Sequence, residues 1–498
     1  IAKINRIISD NPGPEQVRVG GIPILQSRLS GDTAREVKKF LPLCLLFMLV
    51  ILLLSTRQIG GGILSFAVIC SSLIPAWGMA NALGWKLQMI TLYFPLMAIA
   101  AGAGAGIHIM LRFQEENAPA AGLNNRQLAE NTIVSSGLPL LTSAAVATVG
   151  FLSMRTYKIE VIEQLGSAAV LGVLFSLAGV LMFLSAWLSI LPRPRPAYAF
   201  PVFSRILLKA SIVIMRHPAI LLAVFVFSTA LAAWGIAQIQ TDTNPENYYR
   251  NDKELSETFN IINKNFGGMS SISVLVQGDI KDPAILKRID DFEKEILRIP
   301  AVASTISVAW VVRHMNKTMH NGDENFDSIP DQRESVSDYF MQYSVAGDAG
   351  DFNRLVDFSY QNAQIIIRIN DASPEVISGI SKYVHHYIQR HGAPFVTAGG
   401  TSLLFAETAE QITTAQKKSL LITFLISLVL IAIFFRSLRT AVSIIIPPSF
   451  SLLAILGICG WLRVAPDASS MLVFHSIYAG GITFSAIYAS RFNRETAS

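Results

Sequence analysis

"GAGAGIHIMLRF" (residues 102–113) and "GITFSAIYASRF" (481–492) decide the fold, because they are two copies of one element 379 positions apart. Gly102 falls on Gly481, Arg112-Phe113 on Arg491-Phe492, and Glu116 on Glu495 just beyond. The same shift carries Gly20-Gly21 onto Gly399-Gly400, Leu25 onto Leu404, Lys38-Lys39 onto Lys417-Lys418 and Arg57 onto Arg436, with no gap. Roughly a hundred residues therefore occur twice: the end of a polar domain, a short helix, a Lys-Lys entry and three apolar segments. Both copies run in the same direction, which is a parallel repeat about an axis along the membrane normal.

Composition says what surrounds these copies. Of the 498 residues 51% are hydrophobic and 15% charged, too little polar surface for a soluble chain to cover what it would bury. Uncharged apolar runs long enough to cross a bilayer, roughly 20 residues each, give nine expected spans. They lie at about 41–56, 62–83, 88–111, 134–154, 164–192, 218–237, 419–435, 440–461 and 470–490. Arg57, Arg112, Arg193, Arg195, Arg216, Arg436, Arg439, Arg491 and Arg494 all fall on one side of an up-and-down path, which makes that side the cytoplasm. Trp85-Lys86, Arg155 to Lys158 and the polar segment 239–417 fall on the other.

Cys44, Cys70 and Cys459 lie within spans and read as small packing residues, so no disulfide and no zinc site is expected. The formal charge of +5 is small for this length and does not imply nucleic acid. Residues 1–40 are polar, turn at Asn11-Pro12-Gly13-Pro14 and carry no signal-peptide pattern. Copy one continues into two more spans where copy two stops at Ser498, and copy two follows a span and a full polar domain where copy one follows only a short stretch. The expectation is a chain entering mid-domain, with nine of twelve spans visible.

The polar segment 239–417 reads as α+β. "SISVLV" (271–276), "QIIIRI" (364–369) and "PFVTAGG" (394–400) are strand-like runs, while 282–298 and 373–391 repeat apolar residues at helical spacing. That order suggests a split βαβ unit. The segment 311–346, with Asn321-Gly322-Asp323-Glu324 and Ile329-Pro330, reads as an insertion with a mobile loop. His385, His386 and His391 do not share one face with an acidic partner and are read as non-ligating.

"TDTNPENYY" (241–249), "NFGG" (265–268), "GDIKDPAILKRIDDFEKEI" (278–296), "FFRSLRTA" (434–441) and the two opening stretches carry a resemblance. Together they resemble the resistance-nodulation-division (RND) superfamily, in particular its large-membrane-protein (MMPL) branch of hydrophobe exporters. That branch is related to hopanoid and mycobacterial lipid transporters and more distantly to Patched-like proteins. The resemblance implies a multi-pass bacterial inner-membrane transporter of twelve helices with two periplasmic porter domains, commonly moving lipids on proton flow. The implied organisation is the end of a first porter domain (1–40), a first membrane half similar to sterol-sensing domains (41–192) and a cytoplasmic linker with an amphipathic helix (193–217). A seventh span (218–238), a second porter domain (239–417) and a second membrane half (418–498) follow.

In that family the fourth and tenth helices read Gly, an aliphatic residue, Asp, an aromatic, then Ile-His one turn on and Arg-aromatic beyond. Aligned on the arginine, the aspartate positions are Gly104 and Thr483, flanked by Gly102, Ile107, His108, Arg112 and Phe113 in one copy and by Gly481, Ile482, Phe484, Arg491 and Phe492 in the other. The two proton-relay-equivalent positions are thus not ionisable. No Asp, Glu, Lys or Arg lies inside any of the nine spans, and the ionisable residues left there are His108 and His475. His108, one turn from Gly104, reads either as an interfacial histidine or as a proton- or cation-handling group. His475, two turns outward of Thr483, reads as packing or pore lining, with titration as the alternative. Thr483 and Ser485 read as helix-bonded hydroxyls, with a sodium site as the alternative. Gly102, Gly106, Gly480 and Gly481 read as small residues letting the two central helices approach.

No nucleophile elbow, metal cluster, paired carboxylate or phosphate loop stands out, so neither catalytic residues nor a cofactor are expected. The leading expectation is a transporter moving a lipid or other hydrophobic molecule towards the periplasm or outer membrane. Its expected partners are the membrane, the hydrophobic substrate and a periplasmic carrier protein, with oligomers possible. The alternatives are a lipid-binding or complex-assembling protein that does not pump, and an accessory to protein export.

Overall fold

The computed structural model describes residues 2–14, 17–85, 94–117, 124–190, 201–239, 249, 252–346, 353–464 and 470–497. Lys86, Arg193, Arg195 and all of "TDTNPENYY" except Tyr249 lie outside the described residues. In chain order the helices are α1 (Ala2–Asp10), α2 (Ile22–Thr56), α3 (Ile59–Ala82), α4 (Phe94–Glu116), α5 (Asn125–Leu152), α6 (Glu160–Ala178), α7 (Ser185–Ile190), α8 (Pro201–Arg216) and α9 (Pro218–Ile236). They continue as α10 (Lys253–Asn265), α11 (Pro283–Ile296), α12 (Val308–Met319), α13 (Arg333–Ala346), α14 (Pro374–His391), α15 (Thr401–Phe435), α16 (Leu438–Trp461) and α17 (Ser470–Ala497). The strands are β1 (Ser270–Gln277), β2 (Val302–Ile306), β3 (Asn362–Ile369) and β4 (Phe395–Gly399). The chain forms two compact units, residues 1–29 with 242–411 and residues 30–241 with 412–498.

The first unit is the split βαβ expected from the sequence. Its sheet runs β2-β3-β1-β4 with every pairing antiparallel, and α11 and α14 make the two crossovers. Alternation sets the register: Ile272, Val274 and Val276 of β1 and Ile365, Ile367 and Ile369 of β3 are fully buried on one face. There they meet Leu286, Ile289, Phe292 and Ile296 of α11 and Ile377, Ile380 and Val384 of α14. The Asp282 carboxylate accepts the Ala284 amide at 2.8 Å and starts α11, with Pro283 in its first turn.

The structure adds one strand and corrects one expectation. β2 was not anticipated, because only Val302 of its five residues is buried and no period-two pattern arises. The segment 311–346 is not a loose insertion. α12 and α13 bury Val308, Val311, Val312, Val336 and Phe340 in the same core. The turn between them is tied down as well: Asn316 Nδ2 donates to the Phe326 and Ser328 carbonyls at 3.0 and 2.9 Å, and Asn316 Oδ1 accepts the Tyr339 hydroxyl.

The second unit is the helical bundle, and it carries the repeat with no offset error. Shifted by 379, the ends of α2 fall on those of α15, both 35 residues long, and the ends of α3 on those of α16, both of 24. The expected short helix before each Lys-Lys entry is continuous with the span after it. Arg57 and Arg436 join the helices at the same left-handed φ of 51°. Seven helical stretches are long and apolar enough to cross a membrane on the described residues: α2, α3, α5 with its 3-10 turn (Ser153–Tyr157), α6 through α7, α9, α15 and α16. The other two expected spans are the continuous helices α4 and α17, of 23 and 28 residues. α9 and α16 approach closely because both have glycine at the crossing, where a Cβ on Gly460 would lie 1.8 Å from the Gly235 carbonyl oxygen.

Candidate functional site

Helix α4 packs on α3, α5, α6 and α17, the last being its own repeat partner. Between α4, α5, α6 and α17 lies a cavity of about 210 Å³. Gly102 and Gly104 line it from α4, Ser143 from α5, Ser176 from α6 and Gly480 and Thr483 from α17. At about 30 Å³ per molecule it has room for roughly seven waters, below the ~300 Å³ at which small-molecule pockets begin.

Its polar groups are neutral hydroxyls. The side chains of Ser143 and Thr483 hydrogen-bond each other, and Thr483 Oγ1 also donates to the Ala479 carbonyl at 3.1 Å. The Ser176 hydroxyl, on a residue 1% exposed, reaches no protein partner. Gly104 and Thr483 meet across the cavity, where a Cβ on Gly104 would lie 3.8 Å from Thr483 Cγ2.

The glycines otherwise face away from the position expected of them. Gly102 packs on α6, where its Cβ would lie 2.0 Å from Ser176 Oγ, and Gly106 packs on α3 beside Ile69 and Ser65. Gly481 packs on Pro448 of α16, and Gly480 has no atom within contact range of a Cβ. The reason is geometric: positions two apart on a helix point about 200° from each other, so Gly104 looks at α17 while Gly102 and Gly106, one turn apart, turn away from it and share Ile69 as a neighbour. The close approach of the two central helices thus rests on Gly104 alone among them.

His108 is half-buried on α4 and does not line the cavity. Ser485 is also half-buried and lines a separate groove of about 690 Å³ between α16 and α17, beside Arg439, Ser443 and Tyr488. His475 is buried, 2% exposed, inside a cluster of hydroxyls. Its Nε2 lies 2.9 Å from Ser419 Oγ of α15 and 3.4 Å from Ser153 Oγ in the 3-10 turn. Ser153 Oγ is in turn 2.6 Å from Ser419 Oγ and 3.0 Å from Thr423 Oγ1. His475 stands out in the sequence but Ser419 and Ser153, which bond its ring, do not, because they lie 56 and 322 residues away along the chain.

At the arginine-bearing end of the same helices, repeat-related pairs close within each copy. Arg112 meets Glu116 at 2.9 Å and Arg491 meets Glu495 at 3.1 Å, while Arg491 also crosses from α17 to Glu115 of α4 at 3.1 Å.

In the α/β unit one acid is displaced from its ordinary titration range. Burial pushes the Glu293 carboxyl up to about 7, with nearby Asp290 adding to the effect and hydrogen bonds from Ser307 and Thr305 and the charge of Arg313 opposing it. Asp290 itself is ion-paired with Arg313 at 2.9 Å and Lys294 at 2.6 Å. His385 and His391 are each engaged through Nδ1 with a backbone carbonyl of their own helix, Ser381 and Tyr387.

Residues 1–202 match the MMPL family. A membrane protein of Methanocaldococcus jannaschii is 26% identical over 193 residues, which is 38% of this chain and 49% of that one. Among solved structures, the hedgehog release protein Disp of the water bear Hypsibius dujardini aligns at a TM-score of 0.63 and 14% identity, covering 93% of this chain and 61% of its own. SecDF of Thermus thermophilus, a translocon-associated membrane protein, aligns at 0.52 and 13%, covering 96% and 54%. At such identity the likeness is one of fold, and the chain spans about half the length of these relatives. The helices long and apolar enough to cross a membrane, the duplicated bundle and the membrane-protein relative make the chain a multi-pass membrane protein, similar to the MMPL family over residues 1–202 and to Disp and SecDF in fold.

Proposed function

We propose that this chain is part of an RND-type transporter that moves a lipid or other hydrophobic molecule from the inner membrane towards the periplasm or outer membrane. The observation that carries the reading is the repeat: two copies in one register, α2 with α3 and α15 with α16 sharing their ends and α4 meeting α17, in a chain whose residues 1–202 match the MMPL family. Such a pair can rock about its common axis and offer a site alternately to two sides. The cavity at Gly104 and Thr483 is too small for a lipid, so cargo travels elsewhere and this cavity belongs to the moving centre. The test is reconstitution into phosphatidylethanolamine and phosphatidylglycerol vesicles, with transfer of a fluorescent phospholipid and mass spectrometry of co-purified lipids. Transfer faster than in protein-free vesicles, or one enriched lipid species, is expected; neither occurring would sink the reading.

A second reading is favoured by the neutral pair Gly104 and Thr483. It is a protein of the same fold that binds lipid or assembles partners without pumping. Collapsing the proton gradient separates the two: lipid transfer stops in the first case, and lipid binding persists unchanged in the second.

A further inference from the structure

We propose that His475, with Ser419, Ser153 and Thr423, forms a buried proton-binding site that serves the transporter in place of the carboxylates absent at Gly104 and Thr483. The coupling role rests on the transport reading above; the proton site itself does not.

A buried imidazole can change charge only where its neighbours accept both forms. The hydroxyl chain allows this without moving a heavy atom. With the ring neutral and Nε2 unprotonated, Ser419 donates to Nε2 and its oxygen accepts from Ser153, 2.6 Å away. When a proton from water adds to Nε2, the ring N–H donates to Ser419 Oγ. The Ser419 hydroxyl then turns to Ser153, and the Ser153 hydroxyl turns to the Gly150 carbonyl, which lies at 2.6 Å. One proton is gained, two hydroxyls rotate, and Nε2–H, the Ser419 hydroxyl and the Ser153 hydroxyl each have an acceptor. Thr423 holds the chain in place by donating to the Ser419 carbonyl at 2.8 Å.

The surroundings suit the role. The elements packed on the ring are α15, α5 and the 3-10 turn. Their charged residues nearest in sequence, Lys417, Lys418, Arg155 and Lys158, are exposed. The titratable neighbour is the buried phenol of Tyr157, beside Ser419. The ring is one helical turn from the cavity along two helices at once: Ala479, one turn from His475 on α17, and Ala147, one turn from Gly150 on α5, both line it. The unpartnered hydroxyls of Ser476 and Ser176 point to water as the cavity's natural filling. Copy one has Phe40, Cys44 and Leu96 where copy two has Ser419, Thr423 and His475, so copy one does not repeat the site.

The test uses the full chain, in lipid nanodiscs and in vesicles. With ¹⁵N-labelled histidine, the ring signal that disappears in His475→Gln is followed from pH 5 to 9. Interconversion of a neutral and a protonated form is expected, and a single protonation state across the range overturns the site. In vesicles with an imposed pH gradient, fluorescent phospholipid transfer is expected to be stimulated in the native protein and to fall to the gradient-free rate in His475→Gln, which keeps a hydrogen-bonding side chain. Full stimulation in His475→Gln overturns the coupling role. If the native protein transfers no lipid at any gradient, it is the transport reading that fails, and the ring titration still decides the site.

Discussion

At Gly102 a methyl group would fall 2.0 Å from Ser176 Oγ and 3.0 Å from Ile69 Cγ2, whereas at Gly104 its nearest neighbour would be Thr483 Cγ2 at 3.8 Å. Two glycines of one motif therefore answer the same substitution differently. Gly102→Ala overpacks the contact with α6, at a cost of about 1–3 kcal/mol. Gly104→Ala fits and gains the roughly 0.5–1 kcal/mol by which alanine favours a helix over glycine. Thermal unfolding in detergent should show the midpoint falling in the first variant and holding or rising in the second. Glu293 offers a test in the α/β unit. Its folded-state value of about 7 lies above the ordinary 4.5, so the folded form holds its proton more tightly than the unfolded one. The associated stability is fully present below about 4.5, is lost as pH rises towards 7 and stays lost above it. Glu293→Gln should flatten that decline and stabilise the unit at pH 8 by about 3 kcal/mol, read by urea unfolding across the pH range; an unchanged decline would assign it to another group. None of these differences is legible in the sequence, where Gly102 and Gly104 look alike and Glu293 is one of several acids on a helix. The direction each residue faces decides them.

The elements were far more legible than the contacts. The offset of 379 read from scattered identities returns as helices with the same ends, and as Arg57 and Arg436 turning the chain at the same φ of 51°. Backbone length and turn positions are what an ungapped repeat preserves, so they survive where side chains have diverged. What failed to show were β2, with one buried residue in five, and α12, which is as amphipathic as α11 and whose start is fixed by the Ser307 hydroxyl accepting the Trp310 amide at 3.2 Å. The Ser307 cap was visible in the sequence and was the signal that would have found α12. The repeated turn yields its own prediction. A non-glycine residue held left-handed carries about 1–2 kcal/mol of strain, so Arg436→Gly should hold or raise the unfolding midpoint and Arg436→Val should lower it. Equal behaviour of the two would mean that the arginine side chain, rather than the backbone, governs this corner.

At the scale of the whole molecule, composition and apolar runs were enough to read a multi-pass bundle with an α+β unit, because spanning a bilayer demands long continuous apolar helices. The polar chemistry inside the bundle was not readable, since it assembles from residues far apart in the chain. It also departs from the frame that holds it. Under the repeat, Thr483 corresponds to Gly104, His475 to Leu96, and Glu115, which receives Arg491, to Arg494. If the two copies had kept the same polar groups, exchanging the halves about the axis along the membrane normal would leave the energy unchanged. Here the frame is duplicated and its contents are not. Because the counterpart of Glu115 is an arginine, the mirrored crossing from Arg112 to position 494 would set two like charges together in place of an ion pair. The arginine-bearing ends of the two central helices are thus tied asymmetrically, and the two-fold symmetry of the scaffold is broken there by a charge reversal at one position.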